Sequence, residues 1–396
     1  MYPVDDRGRG SPGALLLITR PTFVKVYLDP ILYVLAAISV MVALMIVAVP
    51  LEEQRSDFFN FWDNVRWNAA GHDLYTAPHR TTWEGPNLNP PALLLLIVPL
   101  SFLPLEVAHV TWMVISVILY AIMARWVARE LHLPHARILS LLLISQGTFN
   151  AIELGSFTAP VAACVTLAWL AHRRQSEQAA GIWIGMAIAC KLFLLPFVGY
   201  AVVRKRWRMC RGIAIGIAAV VTLGVVVFGL ANTEFWIRTL GTAQPFSYPW
   251  NGSWMAWLGR GAVPSQAALR AWGLAGAALI GALMLWRWFR RDDDLDAEWI
   301  GILSGSLLAA PVGWVYYAPL LLGPFAARHR SALLWVAYGL FCLPFGVLAA
   351  WSHSRAWNLT VGSAYFFGFV VLFVASFLPQ APESADRSET RPLPPS

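Results

Sequence analysis

"GMAIACKLFLLPF", residues 185–197, decides how the chain is read. One charge, Lys191, interrupts an otherwise apolar run. The chain has only two other lysines, Lys25 and Lys205, and Lys205 lies among arginines. A lysine at the centre of a membrane helix costs about 2.5–3.5 kcal/mol. The flanking runs, 180–190 and 192–203, are each shorter than the roughly 20 residues that a straight span requires. Two short helices meeting at Lys191 solve both problems. The charge then sits at the tip of a hairpin, facing a cavity or the interface rather than hydrocarbon.

The rest of the sequence fits that setting. Of 396 residues, 58% are hydrophobic and 13% charged, against roughly 25% charged in a soluble domain. Apolar runs fall near 31–50, 106–124, 138–151, 157–171, 180–190, 192–203, 212–231, 264–286, 297–312, 314–327, 331–350 and 360–378. The expected fold is all-α and polytopic, with about twelve spans, several of them broken. The expected parts are an N-terminal segment (1–29), a transmembrane domain (30–378) and a disordered tail (379–396) rich in Pro, Ser and charge. No cleavable signal peptide is evident. Cys164, Cys190, Cys210 and Cys342 show no pairing pattern and read as free thiols. Twenty tryptophans suit bilayer interfaces. The net charge of +7 reads as topology and lipid headgroups rather than nucleic acid.

Basic residues orient the chain. With the N-terminus inside, the inner segments hold Arg7, Arg9, Arg20 and Lys25, then Arg125, Arg129 and Arg137, then Arg173 and Arg174. They continue with Arg204, Lys205, Arg206, Arg208 and Arg211, then Arg287, Arg290 and Arg291, then Arg328 and Arg330, and finally Arg387 and Arg391. Together these are 21 of the 29 Lys and Arg residues, a strong positive-inside bias. Counting "NPPALLLLIVPLSFLPLE" (89–106) as a span would spoil it, so that run reads as an interfacial or re-entrant piece of the first outer loop, 51–105. A second outer loop covers roughly 232–263. Both termini are then cytoplasmic.

The first outer loop contains "SDFFNFWDNVRWNAAGHDLY". Read as a helix, it sets Asp57, Asn60, Asn64, Trp67 and Asn68 on one face and Phe58, Phe61, Trp62 and Val65 on the other. Carboxylate, amides and indole on one side suit a sugar; a solvated amphipathic helix at the membrane surface explains the pattern equally well.

Five stretches together resemble glycosyltransferase family 87, membrane enzymes of the GT-C superfamily similar to polyprenyl-phosphate-mannose-dependent α-mannosyltransferases. They are "DFFNFW" through "AAGHDLYTAP" to "NPPALLLL", then "ELGSFTAPVAACVTLAW", "AAGIWIGMAIACKLFLLPFVGYAVVRKRW", "NGSWMAWLGR" and "APVGWVYYAPLLLGP", covering about residues 30–330. The chain departs from the family's L-G-Q-x-N at Ser156 and Thr158, from its K-P at Leu192, and from its S-W-x-H at Tyr316. The resemblance implies hexosyl transfer, mannose favoured, on the outer face of a bacterial cytoplasmic membrane. The donor would be a polyprenyl-phosphate sugar and the acceptor a lipid or glycan hydroxyl. Asp57 would be the general base, and Lys191 would hold the donor phosphate. Tyr316, Asn251 and Ser253 are further candidates for the donor phosphate. Asn60, Asn64, Trp67, Asn150 and Glu153 are candidates for sugar or acceptor. Asp63, Asp73 and His109 read as structural, and Trp314 and Tyr317 as packing. No cluster has metal-ligand spacing, and no cofactor is expected beyond the donor itself. A lipid-linked-sugar flippase shares the span count, but the halves show no internal repeat. A catalytically inactive glycolipid-binding relative is the third reading, raised by Tyr316.

Overall fold

The structure is a computed structural model that describes residues 30–31, 33–39, 42, 56–76, 88–240, 247–261, 265–290 and 294–379. The expected N-terminal segment and all but the first residue of the expected tail lie outside the described residues. Among those described, the chain is helical and forms no strand, apart from one isolated bridge between Asn251 and Trp314.

The helices follow the apolar runs. They are α1 (Asp57–Ala69), α2 (Leu105–Leu131), α3 (His135–Leu143), α4 (Gln146–Glu153), α5 (Thr158–Arg173), α6 (Glu177–Cys190), α7 (Pro196–Val203), α8 (Trp207–Phe228), α9 (Leu230–Leu240), α10 (Trp254–Arg260), α11 (Gln266–Arg290), α12 (Leu295–Ala309), α13 (Leu322–Ala327), α14 (Ala332–Phe341) and α15 (Ala364–Ala375). Residues 30–31, 33–39 and 42 are also helical. Four described stretches are long and apolar enough to cross a membrane alone: α2, α8, α11 and Arg355–Ala375. The other runs expected as spans are shorter or broken. Residues 138–151 form two helices, because Ser145 accepts from the Thr148 amide and restarts the chain as α4. Residues 89–106 do not span: they form two short turns, Pro91–Leu94 and Val98–Phe102, before α2 begins behind Pro104.

The break at Lys191 is as the charge requires. Helix α6 ends at Cys190, Lys191 is extended (φ −144°, ψ 99°), and Pro196 opens α7. The hairpin closes on itself at the far end, where Arg206 beyond α7 donates to Glu177 at the start of α6 over 2.8 Å. Helix α8 then rises parallel to α6. The two lie in backbone contact because glycines face each other. A Cβ on Gly181 would meet Met209 O at 2.2 Å, and one on Gly185 would meet Ile213 O at 2.4 Å. Conversely, a Cβ on Gly212 would meet Gln178 O at 2.3 Å, and one on Gly216 would meet Ile182 O at 2.2 Å. Both helices therefore carry a G-x-x-x-G face. The outer surface of α8 is apolar, with Val221, Leu223, Val226 and Val227 exposed, as suits lipid.

At the end of the molecule opposite Lys191, arginines and acids interlock. Arg204 and Tyr200 both donate to Glu298, Tyr200 over 2.6 Å. Arg173 and the Trp169 indole share Asp296 at 2.6 and 2.8 Å. Arg174 binds Glu130 at 2.8 Å, and Arg328 pairs with Asp294 at 3.5 Å. Arg173, Arg174, Arg204, Arg206 and Arg328, all from the group that the sequence sets on one side, are thus paired with carboxylates here. Of these pairs Arg204–Glu298 is the most deeply buried, and losing one partner of a buried pair strands a charge at a cost of about 3–5 kcal/mol.

Gly216→Val is expected to lower the melting temperature in detergent, since Ile182 O leaves no room for a side chain; overpacking of this kind costs roughly 1–3 kcal/mol. Gly281→Ala, which faces open space on α11, should leave it unchanged or slightly raised. Equal losses in both would show that the α6–α8 contact is looser than described.

Candidate functional site

Asp57 is positioned by its neighbours on both sides. Ser56 Oγ and the Phe58 amide both donate to Leu154 O, at 3.1 and 3.0 Å. This close docking depends on Gly155. Its φ of +63° suits glycine, and a Cβ there would strike Phe58 Cβ at 2.6 Å. Phe58 also stacks on His109 of α2, centroids 5.0 Å apart. So α1 is pinned by its first turn, and Asp57 is held over the α4–α5 junction.

Lys191 arrives from the hairpin tip. Its Nζ donates to Asn89 Oδ1 at 2.6 Å and lies 5.4 Å from the ring centroid of Tyr317. The segment carrying Asn89 is itself clamped. Tyr75 Oη donates to Asn89 O at 2.7 Å, and Trp236 Nε1 of α9 donates to Leu88 O at 3.0 Å. Asn232 of α9 accepts from the Leu74 amide at 2.8 Å, tying the same arm to the loop after α1.

A third wall comes from residues 310–317. Asn251 Oδ1 accepts from the amides of Ser253 and Gly313 at 3.1 and 2.8 Å, while its Nδ2 donates to Pro311 O at 3.2 Å. Ser253 caps α10, accepting from the Ala256 amide, and donates to Pro311 O. Arg260, at the other end of α10, turns back to donate to Tyr248 O and Asn251 O at 2.7 and 3.0 Å and to Ser363 Oγ at 2.9 Å. The spacing of "NGSWMAWLGR" thus encodes a brace: Asn251 and the cap Ser253 hold the strap behind Trp314, Tyr316 and Tyr317, and Arg260, at the far end of the helix, holds the Tyr248–Asn251 turn.

These three pieces enclose a cavity of about 440 Å³. Asp57, Asn60, Asn89, Lys191 and Tyr316 line it together with Ser156 and Thr158. Its aromatic surface includes Phe61, Phe157, Trp236, Trp250, Trp314 and Tyr317. Burial pushes the Asp57 carboxyl up to about 6, and the Lys191 ammonium restrains the rise. A carboxyl with that pKa is mostly ionised at neutral pH and can still take up a proton. Among the described residues, no cluster of His, Cys, Asp and Glu could hold a metal.

Other candidates lie elsewhere. Asn64, expected on the polar face of α1, is buried with Phe61 and Val65 and does not line the cavity. The helical rotation carries only the first turn's polar residues, Asp57 and Asn60, inward. Trp67 stacks on His72 and donates to Thr76 Oγ1 at 3.2 Å, shaping the turn after α1. Asn150 accepts from Gln146 at 2.6 Å within α4; neither it nor Glu153 reaches the cavity wall. Asn251 and Ser253 are buried behind the wall rather than in it. Trp314 and Tyr317, expected as packing, are lining residues. Sequence reasoning missed Asn89 and Trp236. Asn89 opens the "NPP" stretch, where the prolines mark a turn but nothing in the residue type marks a partner for Lys191.

A family model described as "Glycosyltransferase family 87" matches residues 87–312. The matched part includes Asn89, Lys191 and the Asn251–Arg260 brace; Tyr316 falls just beyond its end, and Asp57 lies well before its start. No curated protein matches the chain.

The raised Asp57 pKa has a consequence for stability. The folded state binds this proton more tightly than the unfolded chain, so stability falls as pH rises from 3.8 to about 6. The melting temperature of Asp57→Asn minus that of wild type should therefore grow across that window and level off above it. A difference independent of pH would place the carboxyl in an ordinary, solvated setting.

Proposed function

Because the chain belongs to glycosyltransferase family 87 and is a membrane glycosyltransferase, we propose that it moves a hexose, mannose in the first instance, from a polyprenyl-phosphate sugar to a hydroxyl of a lipid or glycan acceptor. The observation that carries this reading is the pairing of one base and one cation in a single aromatic-walled cavity, Asp57 and Lys191. No other Asp, Glu, Lys, Arg or His lines that cavity among the described residues.

The reaction asks for little more. The Asp57 carboxylate takes the proton of the acceptor hydroxyl as its oxygen attacks the anomeric carbon. The bond from that carbon to the phosphate oxygen breaks, and its electron pair leaves with polyprenyl phosphate. Lys191 offsets the charge gathering on that phosphate, so no general acid is needed. Attack from the side opposite the leaving group inverts the anomeric centre. Aromatic rings suit the apolar faces of a sugar, and Asn60 is within the same wall to accept or donate to a hydroxyl. Tyr316 stands where the family motif has histidine; its phenol is a poor base but can donate a hydrogen bond, which suits a contact to phosphate or sugar.

The arginine bias supports a cytoplasmic position for the charged pole and an extracytoplasmic one for the cavity, in a bacterial inner membrane with both termini inside. In a background lacking the four native cysteines, His72→Cys should label from outside intact cells and Ser176→Cys should not. The reverse pattern would move the chemistry to the wrong face.

Asp57→Asn should lower transfer roughly 10²–10⁴-fold with little change in donor affinity, and the acidic limb of the wild-type rate profile near pH 6 should vanish. Asp63→Asn and Asp73→Asn should cost far less. Lys191→Ala should weaken donor binding on the order of 10–150-fold, one charge-assisted contact, and Lys191→Arg should recover part of it. Near wild-type transfer by Asp57→Asn would assign the base elsewhere; unchanged donor binding by Lys191→Ala would leave the lysine with no part in holding phosphate.

A further inference from the structure

At the charged pole, far from the cavity, two clefts adjoin on the surface of α2. One, of about 460 Å³, is lined by Trp126, Arg129, Leu170, Arg174, Ser176 and Trp183, among others, from α2, α5 and α6. The second, of about 360 Å³, is lined by Arg125, Ala128, Arg129, Leu133 and His135. Arg129 belongs to both.

The charges here are not spent alike. Arg174 gives its guanidinium to Glu130 through two bonds, 3.0 and 2.8 Å, and Arg173 also reaches that carboxylate at 3.7 Å. Arg125 and Arg129 are exposed, and among the described residues neither guanidinium has a protein partner. They stand four residues apart on one face of a helix, where like charges repel. An anion between them would relieve that repulsion.

The same face of α2 continues away from the arginines as apolar surface. Ile118, Ile122, Arg125 and Arg129 follow at spacings of four, three and four, and both isoleucines are exposed. Trp126 and Trp183, half-buried in the first cleft, are the side chains that settle at the headgroup level of a bilayer. A pair of cations at the end of a span, leading onto an apolar stripe flanked by indoles, suits an amphiphilic phosphate such as one carrying acyl chains.

We infer that these clefts bind an anionic phospholipid, its phosphate between Arg125 and Arg129 and an acyl chain along Ile122 and Ile118. The inference does not depend on the transferase reading. The site would fasten the α2–α5–α6 end of the molecule to acidic lipid in the leaflet nearest the arginines.

The test uses the full chain in neutral detergent, with native mass spectrometry counting bound dioleoyl-phosphatidylglycerol against dioleoyl-phosphatidylcholine. Wild type should retain the anionic lipid preferentially. Each arginine near a charged lipid surface contributes about 1 kcal/mol, so Arg125→Gln with Arg129→Gln should weaken retention on the order of tenfold or more. Arg208→Gln with Arg211→Gln removes two exposed arginines of α8 outside the clefts and should weaken it much less. Equal loss in both pairs would mean diffuse attraction and overturn the site, as would no preference in wild type. Displacement of the lipid by millimolar inorganic phosphate alone would show a phosphate site without acyl recognition, which also overturns it. Unchanged melting temperatures would show that the variants remain folded.

Discussion

An ammonium group cannot be left bare in hydrocarbon, and in this protein that constraint breaks a helix. At Lys191 the chain leaves α6, runs extended for one residue and turns back through Pro196 into α7. The break delivers Nζ to Asn89 and the Tyr317 face instead of to lipid. Everything that positions the cavity answers to this point. The 88–90 segment must approach the tip, and Tyr75 and Trp236 hold it there. The hairpin must stand still, and it does so because α6 lies in backbone contact with α8 along Gly181, Gly185, Gly212 and Gly216. Without side chains between them, the helices gain close dispersion contact that lipid tails cannot supply.

The cavity then combines two groups that would neutralise each other if they touched freely. Burial raises the Asp57 carboxyl and the Lys191 ammonium restrains the rise, while separate elements fix the two groups. Asp57 is tied to Leu154 through its neighbours; Lys191 is tied to Asn89. Behind the third wall, Arg260, Asn251 and Ser253 place no group in the cavity but hold the strap that does. The fold thus separates the residues that line the cavity from those that keep them in register.

Much of this was legible in the sequence. Composition and the arginine pattern pointed to a helical membrane protein, and the short runs around Lys191 to a broken hairpin. The span count was less legible. Hydropathy registers an apolar run but not a Ser145 cap inside it, so 138–151 reads as one helix and folds as two. In α1 the face was drawn from residue type. A polar amide, Asn64, was counted with the carboxylate, while in the fold it shares the buried side with Val65. Asn251 and Ser253 read as phosphate contacts because hydroxyls and amides bind phosphates; they bind backbone equally well, and only the three-dimensional strap decides. Asn89 and Trp236 could not be paired with Lys191 from sequence, being 102 and 45 positions from it. The helix contact rests on "GIWIG" and "GIAIG", glycine pairs that hydropathy registers only as apolar runs.

The central claim is that one cavity holds the donor phosphate at Lys191 with the anomeric carbon turned toward Asp57. A density map of the protein with a non-transferable polyprenyl-phosphonate sugar tests it most directly. The account predicts phosphonate oxygens within hydrogen-bonding reach of Lys191 Nζ and the sugar ring against the aromatic wall, its anomeric carbon facing the Asp57 carboxylate with room for an acceptor hydroxyl between. A phosphonate seated at the arginine-rich pole, or a sugar turned away from Asp57, would contradict it.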